Sequence, residues 1–191
     1  MPSDLPTLST ERLTLRPRTM TDLDRIARLN ADPQVMRHIA PAGSAEMGRE
    51  AVAARSFSHV AIGLGYWSVF SRAVADEFLG YVGLIPGGAS GEEPQLSYRF
   101  EARHWGKGYA FEASERVVAH GIATLGLPAL AILTHPQNAA SCRLAQKLGF
   151  TRQAEASAVL IGDPPVPGAQ FRLNGADWRG RSQAASGLKA R

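Results

Sequence analysis

Residues 95–134 read QLSYRFEARHWGKGYAFEASERVVAHGIATLGLPALAILT. The stretch opens on a short aromatic and polar run, Gln95 to Phe100, that reads as a strand. A turn follows, Arg103 to Ala110, in which Gly106 and Gly108 flank Lys107. The pattern then becomes helical, with Phe111, Val118 and Leu125 recurring every two turns, Ile122 beside them, and Gly126 and Pro128 closing the helix. Ala129 to Thr134 is a continuous apolar run, as expected of a strand buried on both faces. Strand, helix and strand in this order imply a right-handed crossover with the helix on the face of a sheet.

Upstream, Arg12 to Arg18 alternates polar and apolar residues and reads as a half-buried strand. Residues 19–32 offer Thr21 as a helix N-cap with Asp24 three residues on, and Leu23, Ile26, Ala27 and Leu29 as the apolar stripe. Residues 32–39 form a second, short helix with Pro33 at its first position. Residues 43–62, which include Ala45, are alanine-rich and moderately helical, and 65–71 and 77–86 read as an antiparallel strand pair. Downstream, Asn138 caps a helix carrying Ala140, Leu144 and Leu148, and Gly149 stops it. Residues 151–173 suggest two strands joined by a Pro/Gly-rich loop. From Asn174 the chain is polar and small, the signature of a loose tail. Antiparallel strands followed by alternating strands and helices predict an α/β (α+β) domain with a mixed sheet and helices on its faces. One domain is expected over 1–175, with 176–191 as a flexible basic tail.

Composition agrees with that class. The chain has 191 residues, of which 45% are hydrophobic and 20% charged, as in ordinary globular domains. The formal charge is +4, and the tail holds Arg179, Arg181, Lys189 and Arg191 against Asp177, so it accounts for +3 of it. Basicity confined to a tail is weak evidence for nucleic acid, and no direct nucleic-acid partner is expected. A single cysteine, Cys142, excludes an internal disulfide and fits a reducing compartment. No secretory signal opens the sequence and no apolar run is long enough to span a bilayer, so a cytoplasmic protein without membrane contact is expected. No His/Cys cluster has metal-ligand spacing.

The turn at 103–110 suits an anion. A helix start has unpaired N–H groups and the positive end of the macrodipole, glycines admit close approach, and Arg103 and Lys107 add charge. A phosphate or pyrophosphate is the natural guest. Lys107 is followed by Gly108 where a P-loop needs Ser or Thr, and Phe111 stands where a dinucleotide fingerprint needs its third glycine, so both of those loops are excluded. By itself the turn reads equally well as a surface turn whose glycines reverse the chain.

RHWGKGYA has the form R-x-x-G-x-G-x-A and resembles the acyl-CoA pyrophosphate loop of the GNAT superfamily of N-acetyltransferases. STERLTLRPRTMTDL and HPQNAASCRLAQKLGF, in the expected order around it, are similar to the branch containing ribosomal-protein N-terminal acetyltransferases. The resemblance spans Leu8 to Leu173. It implies a mostly antiparallel sheet with a splayed parallel strand pair and helices on both faces. It also implies acetyl-CoA as co-substrate, held by Arg103, Gly106, Lys107, Gly108, Tyr109 and Ala110, with backbone N–H groups near Tyr98, Arg99 and Phe100 polarising the thioester carbonyl. Asn138 would bind the pantetheine arm and Ser141 would sit near the sulfur. For Asn138 a plain N-cap, and for Ser141 a small first-turn residue, are the structural alternatives. Members are monomers or homodimers, and the acceptor is a primary amine on a protein N-terminus or a small molecule.

The base is where the match departs. Relatives carry glutamate where this chain has Gln95, which can orient a water but cannot take a proton. Glu92, Glu93 and His135 are nearby ionisable residues, and each also reads as an ordinary loop or surface group. The resemblance frames the acceptor cleft with Asn30–His38, Tyr66, Trp67 and the loop Gly162–Gly168; alternation sends Tyr66 and Trp67 to opposite faces. An acetyl-CoA-dependent N-acetyltransferase acting by direct attack is the leading expectation. A non-catalytic acyl-CoA-binding module, kept open by Gln95, is the alternative.

Overall fold

The computed structural model describes residues 5–41, 48–87, 93–155 and 157–188, those from 182 on by backbone alone. Ala45, within the helical region expected over 43–62, lies outside the described residues. The strands are β1 (Leu8–Ser9), β2 (Leu13–Pro17), β3 (Gly65–Ser71), β4 (Phe78–Ile85), β5 (Gln95–Phe100), β6 (Ala129–Thr134), β7 (Thr151–Arg152), β8 (Leu160–Ile161), β9 (Val166–Pro167) and β10 (Ala169–Asn174). The helices are α1 (Leu23–Ala31), α2 (Pro33–Met36), α3 (Arg49–Phe57), α4 (Tyr109–Ala119), α5 (Ala139–Leu148) and α6 (Gly175–Leu188). Eight strands form one sheet in the order β1-β2-β3-β4-β5-β6-β10-β7, and β8 and β9 pair separately. Every pairing is antiparallel except β5 with β6. This is the mixed sheet that the order of sequence patterns predicts. Among the described residues no helix is long and apolar enough to cross a membrane.

Period-two alternation distributes the sheet between two cores. Trp67, Val69, Leu79, Val82 and Leu84 meet Ala113, Val117, Val118 and Ile122 of the α4 region, and Leu148 of α5 joins them. Phe70, Phe78 and Tyr81 meet Leu23, Ile26 and Leu29 of α1 and Val52 of α3. Tyr66 and Trp67 accordingly face opposite layers: Tyr66 packs at the second core, and Trp67 is fully buried in the first with its indole N–H on the Pro6 carbonyl at 2.8 Å. Burying each such aromatic contributes about 1.5–3 kcal/mol.

Three local readings change. The first helical segment opens on a 3-10 turn, Met20–Asp22, capped by Thr19 and not Thr21: Asp22 accepts the Thr19 N–H at 2.9 Å and is itself the N-cap of α1. Asp22 is held there by Arg16 at 2.6 Å and Ser68 at 3.0 Å; burial raises its pKa, but these bonds more than offset that and leave it below the ordinary value. Between 151 and 173 the chain makes four strands rather than two, the Pro/Gly-rich segment folding into the β8–β9 hairpin. The segment expected as a loose tail is helix α6 from Gly175 to Leu188. Trp178 anchors it on the first core, and Arg181 Nη2 donates to the Gly149 carbonyl at 3.2 Å.

One contact ties the N-terminal edge of the sheet to the start of α4. The Glu112 carboxylate, one turn into α4, accepts hydrogen bonds from the Thr10 hydroxyl, the Arg12 N–H at 3.0 Å and the Arg12 Nε at 2.7 Å. The Arg12 Nη1 continues to the Lys107 carbonyl at 3.0 Å. A carboxylate in a first helical turn also complements the dipole. Partial burial raises the Glu112 pKa, but the bonds from Thr10 and Arg12 and the Arg12 charge outweigh it, so the carboxyl sits below its ordinary value of 4.5. Glu112→Gln is expected to destabilise the protein at pH 7 by about 1–3 kcal/mol, since hydrogen bonds to a charged group are lost. A depressed folded pKa stabilises the fold above the unfolded value, so the gap between wild type and variant should close as pH falls through 4.5 and below. Denaturant melts at pH 7 and pH 3.5 measure this, and equal stability at pH 7 would remove the clasp from the account.

Candidate active site

β5 is zipped to β4 along its whole length, from Gln95 opposite Ile85 to Phe100 opposite Gly80. It meets β6 at one register pair, Gln95 opposite Ala131, supported by the Ala131 N–H on the Pro94 carbonyl at 2.9 Å. Beyond that pair the two strands part. The Glu101 N–H bonds the Leu79 carbonyl at 3.0 Å, which fixes the phase of the ladder. Odd-numbered amides of β5 therefore turn to β4, while those of Tyr98 and Phe100 turn toward the gap. Arg99, expected beside them, instead has its amide on the β4 side, and its guanidinium donates to Asn30 Oδ1 on the α1 face. The Phe100 carbonyl is taken by the Trp105 indole at 2.9 Å.

On the α4/α5 side of the gap, the Tyr98 hydroxyl stands 2.7 Å from Ser141 Oγ. Ser141 is buried in the first turn of α5, where Asn138 Oδ1 accepts its N–H at 3.1 Å. Asn138 is thus an N-cap in fact, and its amide NH2 is the remaining donor end. Burial pushes the Tyr98 pKa up to about 12, although the Ser141 hydrogen bond acts the other way. The phenol is therefore protonated at any physiological pH and can act as a donor but not as a base. The sequence reading used Tyr98 only through its backbone and missed this side chain. Alternation was the available signal: Leu96, Tyr98 and Phe100 all belong to the α4-side core.

The turn behaves as its glycines require. Gly106 and Gly108 have φ of 75° and 82°, left-handed values that L-residues rarely adopt. A Cβ added at Gly106 would meet nothing within 4 Å, so the loop is open to solvent and to a ligand there. Tyr109 and Ala110 begin α4, and the Arg12 guanidinium lies 4.7 Å from the Tyr109 ring centre. Arg103 is exposed and paired with Glu101 at 2.6 Å, whereas Lys107 is fixed through its backbone by Arg12.

The ionisable candidates separate. Gln95 is half-buried at the last β5–β6 pair. Glu93 is bound to Arg172 at 2.6 Å, the ordinary surface role, and Glu92 lies outside the described residues. His135 is buried, its Nδ1 accepting the Gln137 N–H at 3.1 Å, and its ring stands 5.1 Å from that of His38. Burial first, then His135, holds the His38 pKa below its ordinary value. The Gly162 N–H donates to the Ile39 carbonyl at 3.1 Å, so the start of the 162–168 loop meets the chain one residue past the expected Asn30–His38 segment. Asn30 and Tyr66 line a cavity under β5, while Trp67 is excluded from it by its burial in the other core.

Comparison with known proteins agrees with this architecture. The family model for the acetyltransferase (GNAT) domain matches residues 12–151. An uncharacterized N-acetyltransferase, p20 of Bacillus licheniformis, is 27% identical over 149 residues, 77% of this chain and 83% of that protein. The crystal structure of an acetyltransferase from Agrobacterium tumefaciens is 28% identical, with a TM-score of 0.72 over 89% of this chain and 95% of that one. A ribosomal alpha-N-protein acetyltransferase solved in complex with coenzyme A shares the fold, with a TM-score of 0.73 over 88% of this chain and 98% of that one, at 14% identity. The chain belongs to the GNAT acetyltransferase family and is an acetyl-CoA-dependent acyltransferase.

Proposed function

We propose that this enzyme acetylates a primary amine, on a protein N-terminus or a small molecule, by direct attack in a ternary complex. The observation that carries the reading is the Tyr98–Ser141 pair at the mouth of the β5–β6 gap, 2.7 Å apart, with Ser141 buried and Tyr98 partly buried. The residues present fit a CoA thioester. The open, left-handed turn at Gly106 and Gly108 leads into the N-terminus of α4, and the gap offers amide donors from Tyr98 and Phe100. Bound there, acetyl-CoA supplies an acyl group activated as a thioester. Amides from Gly106 to Ala110, with Lys107 and Arg103, hold the pyrophosphate. The Asn138 amide donates to the pantetheine arm. The Tyr98 and Phe100 N–H groups stabilise charge building on the carbonyl oxygen, a role whose single donors are worth about 10²–10³ in rate elsewhere.

Proton balance assigns the rest. As the C–N bond forms and the C–S bond breaks, the amine loses a proton and the sulfur gains one. A phenol at about 12 is too weak an acid to protonate outright a thiolate of ordinary pKa, about 8.5. A serine hydroxyl is a weaker acid still, so Tyr98 donates to the Ser141 oxygen, Ser141 turns its own O–H to the departing sulfur as a hydrogen bond, and the thiolate takes its proton from solvent. Tyr98→Phe and Ser141→Ala should each lower kcat about 100-fold, the scale of losing one donor to charge that develops in the transition state, with KM for acetyl-CoA little changed. Because the two act as one unit, the double variant should be no worse than the poorer single. Steady-state kinetics of CoA release tests this, and full activity in both single variants would overturn the assignment.

With Gln95 unable to ionise and Glu93 bound to Arg172, the acceptor loses its proton to solvent. kcat/KM should then rise with pH along the acceptor's own titration, with a midpoint near about 8 for an α-amine and about 10.4 for a lysine-like amine. Profiles measured with both acceptor types decide the point. A midpoint common to both would assign the base to a group of the enzyme, His135 first.

A further inference from the structure

A cavity of about 110 Å³ lies on the α1/α3 face of β5, the face opposite Tyr98 and Ser141. Its wall carries the guanidinium groups of Arg18, Arg55 and Arg99 with Tyr66, Tyr81 and Ser97. Among the described residues lining it there is no carboxylate. Asp22, the buried acid of this layer, is bound by Arg16 and Ser68.

Arg18 is the informative residue. It is only 7% exposed, and burial lowers its pKa below the ordinary value. Its Nη1 donates to Ser56 Oγ at 2.8 Å, and its guanidinium lies over the Tyr66 and Tyr81 rings, 4.1 and 4.5 Å from their centres. The ring faces stabilise the charge but accept no N–H from its edge. Nε and Nη2 are buried without a hydrogen-bond partner. Those two atoms form the side-on edge of the guanidinium, the fork that matches both oxygens of a carboxylate. A buried donor pair left unmade costs free energy, which an acceptor arriving with a ligand, together with a small shift of the side chains around it, would recover.

We propose that this cavity is the carboxylate subsite of the acceptor, so that the enzyme acetylates amines carrying a carboxylate a few bonds away. The inference rests on the acetyl-transfer reading above. Ser97 lines the cavity and its neighbour Tyr98 faces the gap, with Cα atoms about 3.8 Å apart along the strand. A carboxylate seated on Arg18 therefore leaves the amine at the β5 edge where the thioester is exposed. Arg55 and Arg99 add positive potential, and Arg99 is positioned by Asn30. The carboxylate belongs either to a free amino acid or to an acidic side chain beside a peptide N-terminus.

Two matched acceptor pairs separate those sources: alanine against alaninamide, and the tripeptide amides Ser-Glu-Ala and Ser-Gln-Ala. In at least one pair the carboxylate member should show kcat/KM about 10- to 100-fold higher. Arg18→Met, which keeps the packing between the two tyrosines, should abolish that preference, and Arg55→Gln, at an exposed helix position, should reduce it without disturbing the fold. Equal use of both members of both pairs by the wild type overturns the proposal, as does a preference that survives in both variants. A readout without turnover stands beside this: succinate, at constant ionic strength, should raise the melting temperature of the wild type and not of folded Arg18→Met. Succinate binding with no acetylation of any amine would keep the anion subsite and remove the acetyl-transfer reading; absence of binding together with active turnover would do the reverse.

Discussion

The parting of β5 from β6 after one register pair governs everything built around it. Each strand is committed to its outer neighbour, β5 by six pairs to β4 and β6 by six pairs to β10. What remains between them is a single pair, Gln95 with Ala131. Backbone groups facing such a gap must find partners, because unpaired buried amides are costly. Some are met within the chain, as the Trp105 indole takes the Phe100 carbonyl. The amides of Tyr98 and Phe100 are the ones a ligand can use. The gap is thus a polar slot cut into an otherwise apolar sheet, with α4 and α5 packed in one core beside it.

β5 also divides two kinds of chemistry. Toward α4 and α5 its neighbours are neutral hydroxyls, Tyr98 and Ser141, suited to donating hydrogen bonds to developing charge. Toward α1 and α3 lies the guanidinium-rich cavity around Arg18. Alternation along a single strand supplies both, since successive side chains point to opposite faces. The loop that opens the slot is held from outside: Glu112 joins α4 to Thr10 and Arg12, and Arg12 reaches on to the Lys107 carbonyl. The N-terminal Thr-Glu-Arg-Leu segment matters here because of those directed bonds.

The fold was legible where local chemistry and burial agree. The 65–71 and 77–86 strands, the Asn138 cap and the Gly149 stop all appear where periodicity and end signals place them. Readings failed where a distant partner decides. Thr21 loses the cap to Thr19 because Arg16 and Ser68, from two different strands, fix Asp22. The segment after Asn174 is helical because Trp178 and Arg181 find partners on the core and at Gly149, contacts no local pattern announces. In the site, the glycine turn and α5 were visible as motifs, whereas the Tyr98–Ser141 contact joins residues 43 positions apart and the Arg18 cavity gathers side chains from the residue after β2 and from α1, α3, β3, β4 and β5.

The most direct test is a crystal structure with acetyl-CoA bound. The pyrophosphate should lie on the amides of Gly106 to Ala110, the thioester carbonyl should face the Tyr98 and Phe100 N–H groups across the β5–β6 gap, and the sulfur should sit beside Ser141 Oγ. Acetyl-CoA found elsewhere, with the gap closed by pairing of β5 to β6, would contradict the account.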